Sequence, residues 1–212
     1  MAYILVHMSD NSITRQASTA LSAATSGAAT LTTTVAVLWA VHGANIVLQG
    51  ALHAYGIMPR NPDALYGIAF APFLHGSIEH LLLNTVSLVI LGALTMVRRR
   101  SDFVAVSVIS GLVSGLGTWL IGAPGTVHIG ASGVIFGYLG FLMARGFFER
   151  SLSAILLSAG VIWFFHAMVW GVLPTVAAGI SWEAHLFGFL GGISSAWLLT
   201  PRRARAGRPQ RG

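Results

Sequence analysis

A serine between glycines, two histidines and an asparagine are the residues in this sequence whose types and spacing could do chemistry. Gly130-Ala131-Ser132-Gly133 opens an apolar stretch that carries no charge until Arg145. A serine in such a stretch most often bonds back to its own helix or sits at a helix–helix contact. It becomes a nucleophile only when a neighbouring base takes its proton. His185 is the candidate base, since a neutral imidazole can accept that proton. His80 and Asn84 are spaced i,i+4, so on a helix both leave the same face. Both can donate to a developing oxyanion, with the Ser132 N–H as a third donor. No acid is placed to complete a triad. Glu183 is two residues from His185, about 200° round a helix, and reads as a charge at a helix N-terminus. Glu79 reads as a solvated neighbour of His80. The pattern predicts a Ser–His dyad.

These groups must be held in a lipid environment. Of 212 residues, 55% are hydrophobic and 8% charged, and the mean hydropathy is +0.75. Soluble domains carry about 25% charged residues, so the chain reads as an integral membrane protein. With no cysteine, a disulfide framework or thiolate metal site is excluded. The net charge of +6 comes entirely from arginines, which sit in short clusters between or after apolar runs. That distribution marks membrane topology and not a nucleic-acid groove.

The apolar runs predict an all-α polytopic bundle of six spans, roughly 31–52, 75–97, 103–122, 132–144, 152–173 and 182–200. Residues 1–30 read as a poorly ordered N-terminal cytoplasmic tail, 31–200 as one membrane domain, and 201–212 as a basic cytoplasmic tail. With six spans, eleven arginines share the side of both termini and only Arg60 lies opposite. The positive-inside rule then puts both termini in the cytoplasm.

Depth follows from helix rise. Ser132 to Arg145 is thirteen residues, or about 20 Å, against a hydrocarbon core of about 30 Å. With Arg145 at the cytoplasmic interface, this short fourth helix starts inside the membrane and the loop 122–131 dips to meet it. Such backbone is tolerated only when buried in protein or lining a water-filled cavity. The same ruler puts Asn84 about 21 Å and His80 about 27 Å from Arg98, and His185 about 26 Å from Arg202. All fall in one outer-leaflet layer, so the site should open to the outer side. Gly133, Gly137 and Gly140 form one stripe, and His185, Gly188 and Gly192 another. Glycines so spaced let helices approach closely, which would bring His185 within reach of Ser132.

Three blocks then carry a resemblance. His75-Gly-Ser-Ile-Glu-His80-Leu-Leu-Leu-Asn84, Gly130-Ala-Ser132-Gly133 and Ala184-His185-Leu-Phe-Gly188-Phe-Leu-Gly-Gly192 are similar to the signature blocks of rhomboid intramembrane serine proteases, in the same order. The resemblance covers about residues 31–200. It implies a six-helix core that cleaves transmembrane or juxtamembrane segments of membrane proteins without a metal or cofactor. It implies Ser132 as nucleophile, His185 as base, His80 and Asn84 as oxyanion side chains, and His75 as a structural histidine. Gly188 matches the glycine where the fourth and sixth helices touch. Phe136 stands where many members have a tyrosine against the base, keeping the aromatic stack without the hydroxyl. Tyr66-Gly67 replaces a common Trp-Arg pair in the first loop. The expected location is a prokaryotic plasma membrane.

Two rival readings differ in class. One is a proteolytically dead relative that binds membrane clients, which would most simply have lost Ser132 or His185. The other is a metal site from His75, His80, His128 and His185, which leaves the serine between glycines unexplained. His42 and His166 read as buried packing residues, His128 as a loop anchor or substrate contact, and Trp163, Trp170 and Trp182 as packing or interfacial-belt residues. The fifth span and the loop 174–181, with Pro174 and Gly179, read as the gate that admits a substrate helix.

Overall fold

The computed structural model describes residues 2–175 and 179–201. The basic tail 202–212 and the centre of the loop 174–181 lie outside the described residues. Among the described residues seven α-helices follow in order: α1 Ala2–Val47, the short α2 Gly67–Phe70, α3 Ile78–Met96, α4 Arg100–Ile121, α5 Ser132–Glu149, α6 Leu152–Val169 and α7 Trp182–Leu199. Among the same residues four stretches are long and apolar enough to cross a membrane: Ala24–Val47, Ile78–Met96, Arg100–Ile121 and Leu152–Val172.

Helix starts follow the local chemistry. Ser77, Ser151 and Ser181 cap α3, α6 and α7 by accepting from the N–H groups of His80, Ala154 and Ala184, which satisfies donors that have no intrahelical acceptor. The loop between α1 and α3 is built from 3-10 turns around Pro62 and Pro72, where a missing N–H costs nothing. Its Ile57 exchanges two 2.9 Å backbone hydrogen bonds with His128, which fastens it to the loop before α5.

Helix α5 is the axis of the bundle and packs against α3, α4, α6 and α7. It is buried all round, with Ile135, Phe136, Tyr138, Leu139, Phe141 and Leu142 in the core, as expected of a helix without a polar face. Tyr138 stacks on Phe103 at 5.2 Å, and its hydroxyl meets Ser107 Oγ at 2.6 Å. At the other end, Ser158 Oγ accepts from Gly146 N–H and donates to the Leu142 carbonyl, so one hydroxyl ties α6 to α5.

Two expectations are corrected. Helix α5 begins at Ser132 as expected but continues past Arg145 to Glu149, giving about 27 Å of helix. The reason is that Arg145 is no surface marker. It is 6% exposed, and its Nε donates to Glu149 Oε1 at 2.9 Å, so the charge is neutralised one turn on. His166 is exposed, not buried, and bonds the Trp163 carbonyl of its own helix.

Glu149 is also 3.2 Å from Arg98 Nη1, and Arg98 Nε is 2.9 Å from Asp102. Arg98 Nη2 donates to the Leu199 carbonyl. These four charges join the ends of α3, α4, α5 and α7. Removing one partner of a buried pair leaves the other charge uncompensated. Glu149→Ala is therefore expected to cost about 3 kcal/mol, with a smaller loss for Glu149→Gln, which keeps an acceptor for Arg145. Reversible unfolding in mixed micelles measures both.

Candidate active site

Ser132 is the first residue of α5, and the loop before it is held against α3. Gly130 has φ 123°, a conformation glycine adopts without strain. Its N–H donates to the Ala71 carbonyl at 2.9 Å. A Cβ at Gly130 would lie 2.7 Å from Cε1 and Nε2 of His80 and 3.8 Å from Nδ2 of Asn84. The backbone leading into the serine therefore touches both side chains of the i,i+4 pair. The first intrahelical bond at this end runs from Ile135 N–H to the Ala131 carbonyl. The N–H groups of Ser132, Gly133 and Val134 thus have no acceptor within the helix.

Asn84 is 5% exposed, and its Nδ2 has no hydrogen-bond partner. Buried donors without partners are rare and call for a reason. His80 stacks edge-on against His75, with centroids 5.1 Å apart at 64°. His75 is buried with both ring nitrogens unpaired, as a spacer between α1 and α3, and its carbonyl is bonded by His42 Nδ1.

His185 lies in the first turn of α7, and its ring is stacked on Phe136 at 4.0 Å and 9°. Phe136 is one turn beyond Ser132 on the same face of α5. The serine and the imidazole therefore lie on the same side of the α5–α7 seam. That seam is close because of its glycines. A Cβ on Gly188 would be built onto the Gly133 carbonyl, and one on Gly192 onto the Gly137 carbonyl. Across from them, Ser114 Oγ of α4 donates to the Ala184 carbonyl at 2.8 Å. His185 Nδ1 is 3.0 Å from the Gly171 carbonyl. No hydrogen bond joins Ser132 Oγ to His185 among the described residues. Without substrate such bonds are often long, and they tighten in the Michaelis complex.

A narrow cleft of about 20 Å³ reaches Ser132 between Ile57, Ser114, His128, Gly130 and Ser181. It has room for about one water molecule. His128 forms one wall and acts as an anchor. Its Nδ1 is 2.7 Å from Ser181 Oγ and its Nε2 2.8 Å from Thr126 Oγ1. Ser181 in turn donates to Glu183. Burial pushes the His128 imidazole below its ordinary value, against the opposing pull of Glu183. Glu183 sits in the first turn of α7.

His75, His80, His128 and His185 do not gather as a metal site. Among the described residues no three His, Cys, Asp or Glu side chains form a group able to hold a metal. Two contacts escaped the sequence reading. The cap at Ser181 was legible, as a serine three residues before an unpaired helical N–H. The carbonyl of Gly171 had no signal, because backbone acceptors look alike in a sequence.

Comparison with known proteins agrees with this architecture. A family model described as Rhomboid domain matches residues 62–202. An uncharacterized protein of Mycobacterium tuberculosis (strain ATCC 25618 / H37Rv) is 39% identical over 85% of this chain and 79% of its own. A Bacillus subtilis protein named "Putative rhomboid protease YdcA" is 30% identical over 62% of this chain and 66% of its own. "Inactive rhomboid protein 2" of Homo sapiens is 31% identical over 68% of this chain and 17% of its own.

Proposed function

The chain belongs to the rhomboid family, and from that premise we propose that it is an intramembrane serine endopeptidase working through Ser132 and His185. The observation that carries this is the stack of His185 on Phe136, one helical turn from Ser132. His185 takes the Ser132 proton as Oγ attacks the scissile carbonyl carbon. Negative charge moves to the carbonyl oxygen, where Asn84, His80 and the Ser132 N–H donate to it. Collapse of the adduct breaks the C–N bond, and His185 returns its proton to the leaving amine. Water, activated by the same imidazole, then hydrolyses the acyl-enzyme.

The unpartnered Asn84 Nδ2 supports its place in this scheme. A donor kept free in the resting site meets its acceptor only when the oxyanion forms, so its bond lowers the barrier instead of tightening ground-state binding. Asn84→Ala is expected to lower kcat about 10²- to 10³-fold with KM nearly unchanged. Steady-state cleavage of a transmembrane peptide in liposomes reads both constants.

Substrates on this reading are transmembrane or juxtamembrane segments that unwind to reach Ser132. Helices α5 and α7 join the four apolar stretches as membrane crossings, six in all. The arginine distribution puts both termini in the cytoplasm and the cleft on the outer side. Labelling of the purified protein by a fluorophosphonate, unchanged by chelators, tests the proposal. A folded protein that neither labels nor cleaves would be a client-binding relative.

A further inference from the structure

We propose that the main-chain carbonyl of Gly171 is a positioning group for His185, orienting the base from the side where serine hydrolases commonly use a carboxylate. The inference rests on the assignment of His185 as the base. A carbonyl oxygen can only accept, so a 3.0 Å contact between it and His185 Nδ1 fixes the proton on Nδ1. The other nitrogen, Nε2, is then left with the lone pair that a general base needs. Because the ring is stacked on Phe136 at 9°, its plane is fixed as well. Together the two contacts select one tautomer and one orientation without any acid.

Two features of Gly171 fit this role. First, α6 continues as a 3-10 turn, Trp170–Val172, and then stops. The last carbonyls of a helix have no intrahelical donor, so that of Gly171 is free to face the imidazole. These carbonyls also form the negative end of the helix dipole. They favour the imidazolium that appears when Ser132 loses its proton, with about half the charge of a carboxylate at most. Second, only glycine lets the backbone come this close. A Cβ there would lie 2.8 Å from Phe136 Cζ and 3.3 Å from His185 Nδ1. The end of α6 thereby supplies the acceptor for His185 Nδ1.

The decisive measurement is the ¹⁵N NMR spectrum of histidine-labelled wild-type protein, with the His185 signals identified by their loss in His185→Asn. At neutral pH we expect Nδ1 protonated and Nε2 unprotonated. The opposite tautomer, or an even mixture, overturns the inference whether or not the protein cleaves. Gly171→Ala adds a functional reading. The added methyl would meet Phe136 Cζ and His185 Nδ1, so a purely steric role predicts lower thermal stability and kcat with the Nδ1–H tautomer kept. We expect the tautomer to become mixed, with kcat and the fluorophosphonate labelling rate falling about tenfold or more. A folded Gly171→Ala protein with the wild-type tautomer overturns the inference. Should that variant not fold, the wild-type spectrum decides alone. A wild-type protein that shows the Nδ1–H tautomer but neither labels nor cleaves sinks the protease assignment and leaves the geometry standing.

Discussion

Ser132→Ala is expected to abolish fluorophosphonate labelling and to lower cleavage of a transmembrane substrate by roughly 10⁴-fold or more. The effect is large because the covalent step has no substitute. The hydroxyl supplies the bond to the scissile carbon, while the oxyanion donors only stabilise what that bond creates. Removing it leaves the site architecture intact. Ser132 Oγ makes no hydrogen bond among the described residues, and alanine is the better helix former at the start of α5. Thermal stability should therefore stay within about 0.5 kcal/mol of wild type, which separates lost chemistry from lost fold. His185→Ala should match it in rate, since nucleophile and base act as one unit and their losses do not add. Equal labelling of wild type and Ser132→Ala would remove the nucleophile from this position.

Gly188→Ala should be among the most damaging single methyls in the described residues, together with Gly192→Ala. The added Cβ would fall on the Gly133 carbonyl oxygen and lie 2.8 Å from its carbon and 3.1 Å from its Cα. These are backbone atoms at the first turn of the central helix, so no rotamer change relieves them. The helices must separate. Overpacking of this kind costs about 1–3 kcal/mol, and a backbone-to-backbone clash belongs at the upper end. The separation also opens the seam on which the Phe136–His185 stack depends. Activity is expected to fall at least about 10²-fold, even in the fraction that folds. Unfolding in mixed micelles together with active-site titration gives both numbers. By contrast Gly43→Ala, inside α1 with a Cβ that meets nothing within 4 Å, should leave activity unchanged and raise stability by up to about 1 kcal/mol.

The proposed reacting groups were legible in the sequence because their chemistry is carried by residue type and spacing. A hydroxyl between glycines, an i,i+4 His–Asn pair and a histidine heading a glycine stripe are costly inside a membrane unless they meet. Their depth could be counted from the arginines at 1.5 Å per residue. The end of α5 was less legible, since Arg145 is paired with Glu149 one turn on and does not stop the helix.

What the sequence by itself determined is the set of groups, their order and a lipid-facing helical bundle. The tertiary structure decided which backbone atoms face those groups. Every peptide unit carries the same carbonyl and N–H, so no pattern of side chains says that Gly171 ends a helix against His185, or that Asn84 is left without a partner. Such choices depend on where helices end and how closely they pack, which only the folded chain fixes.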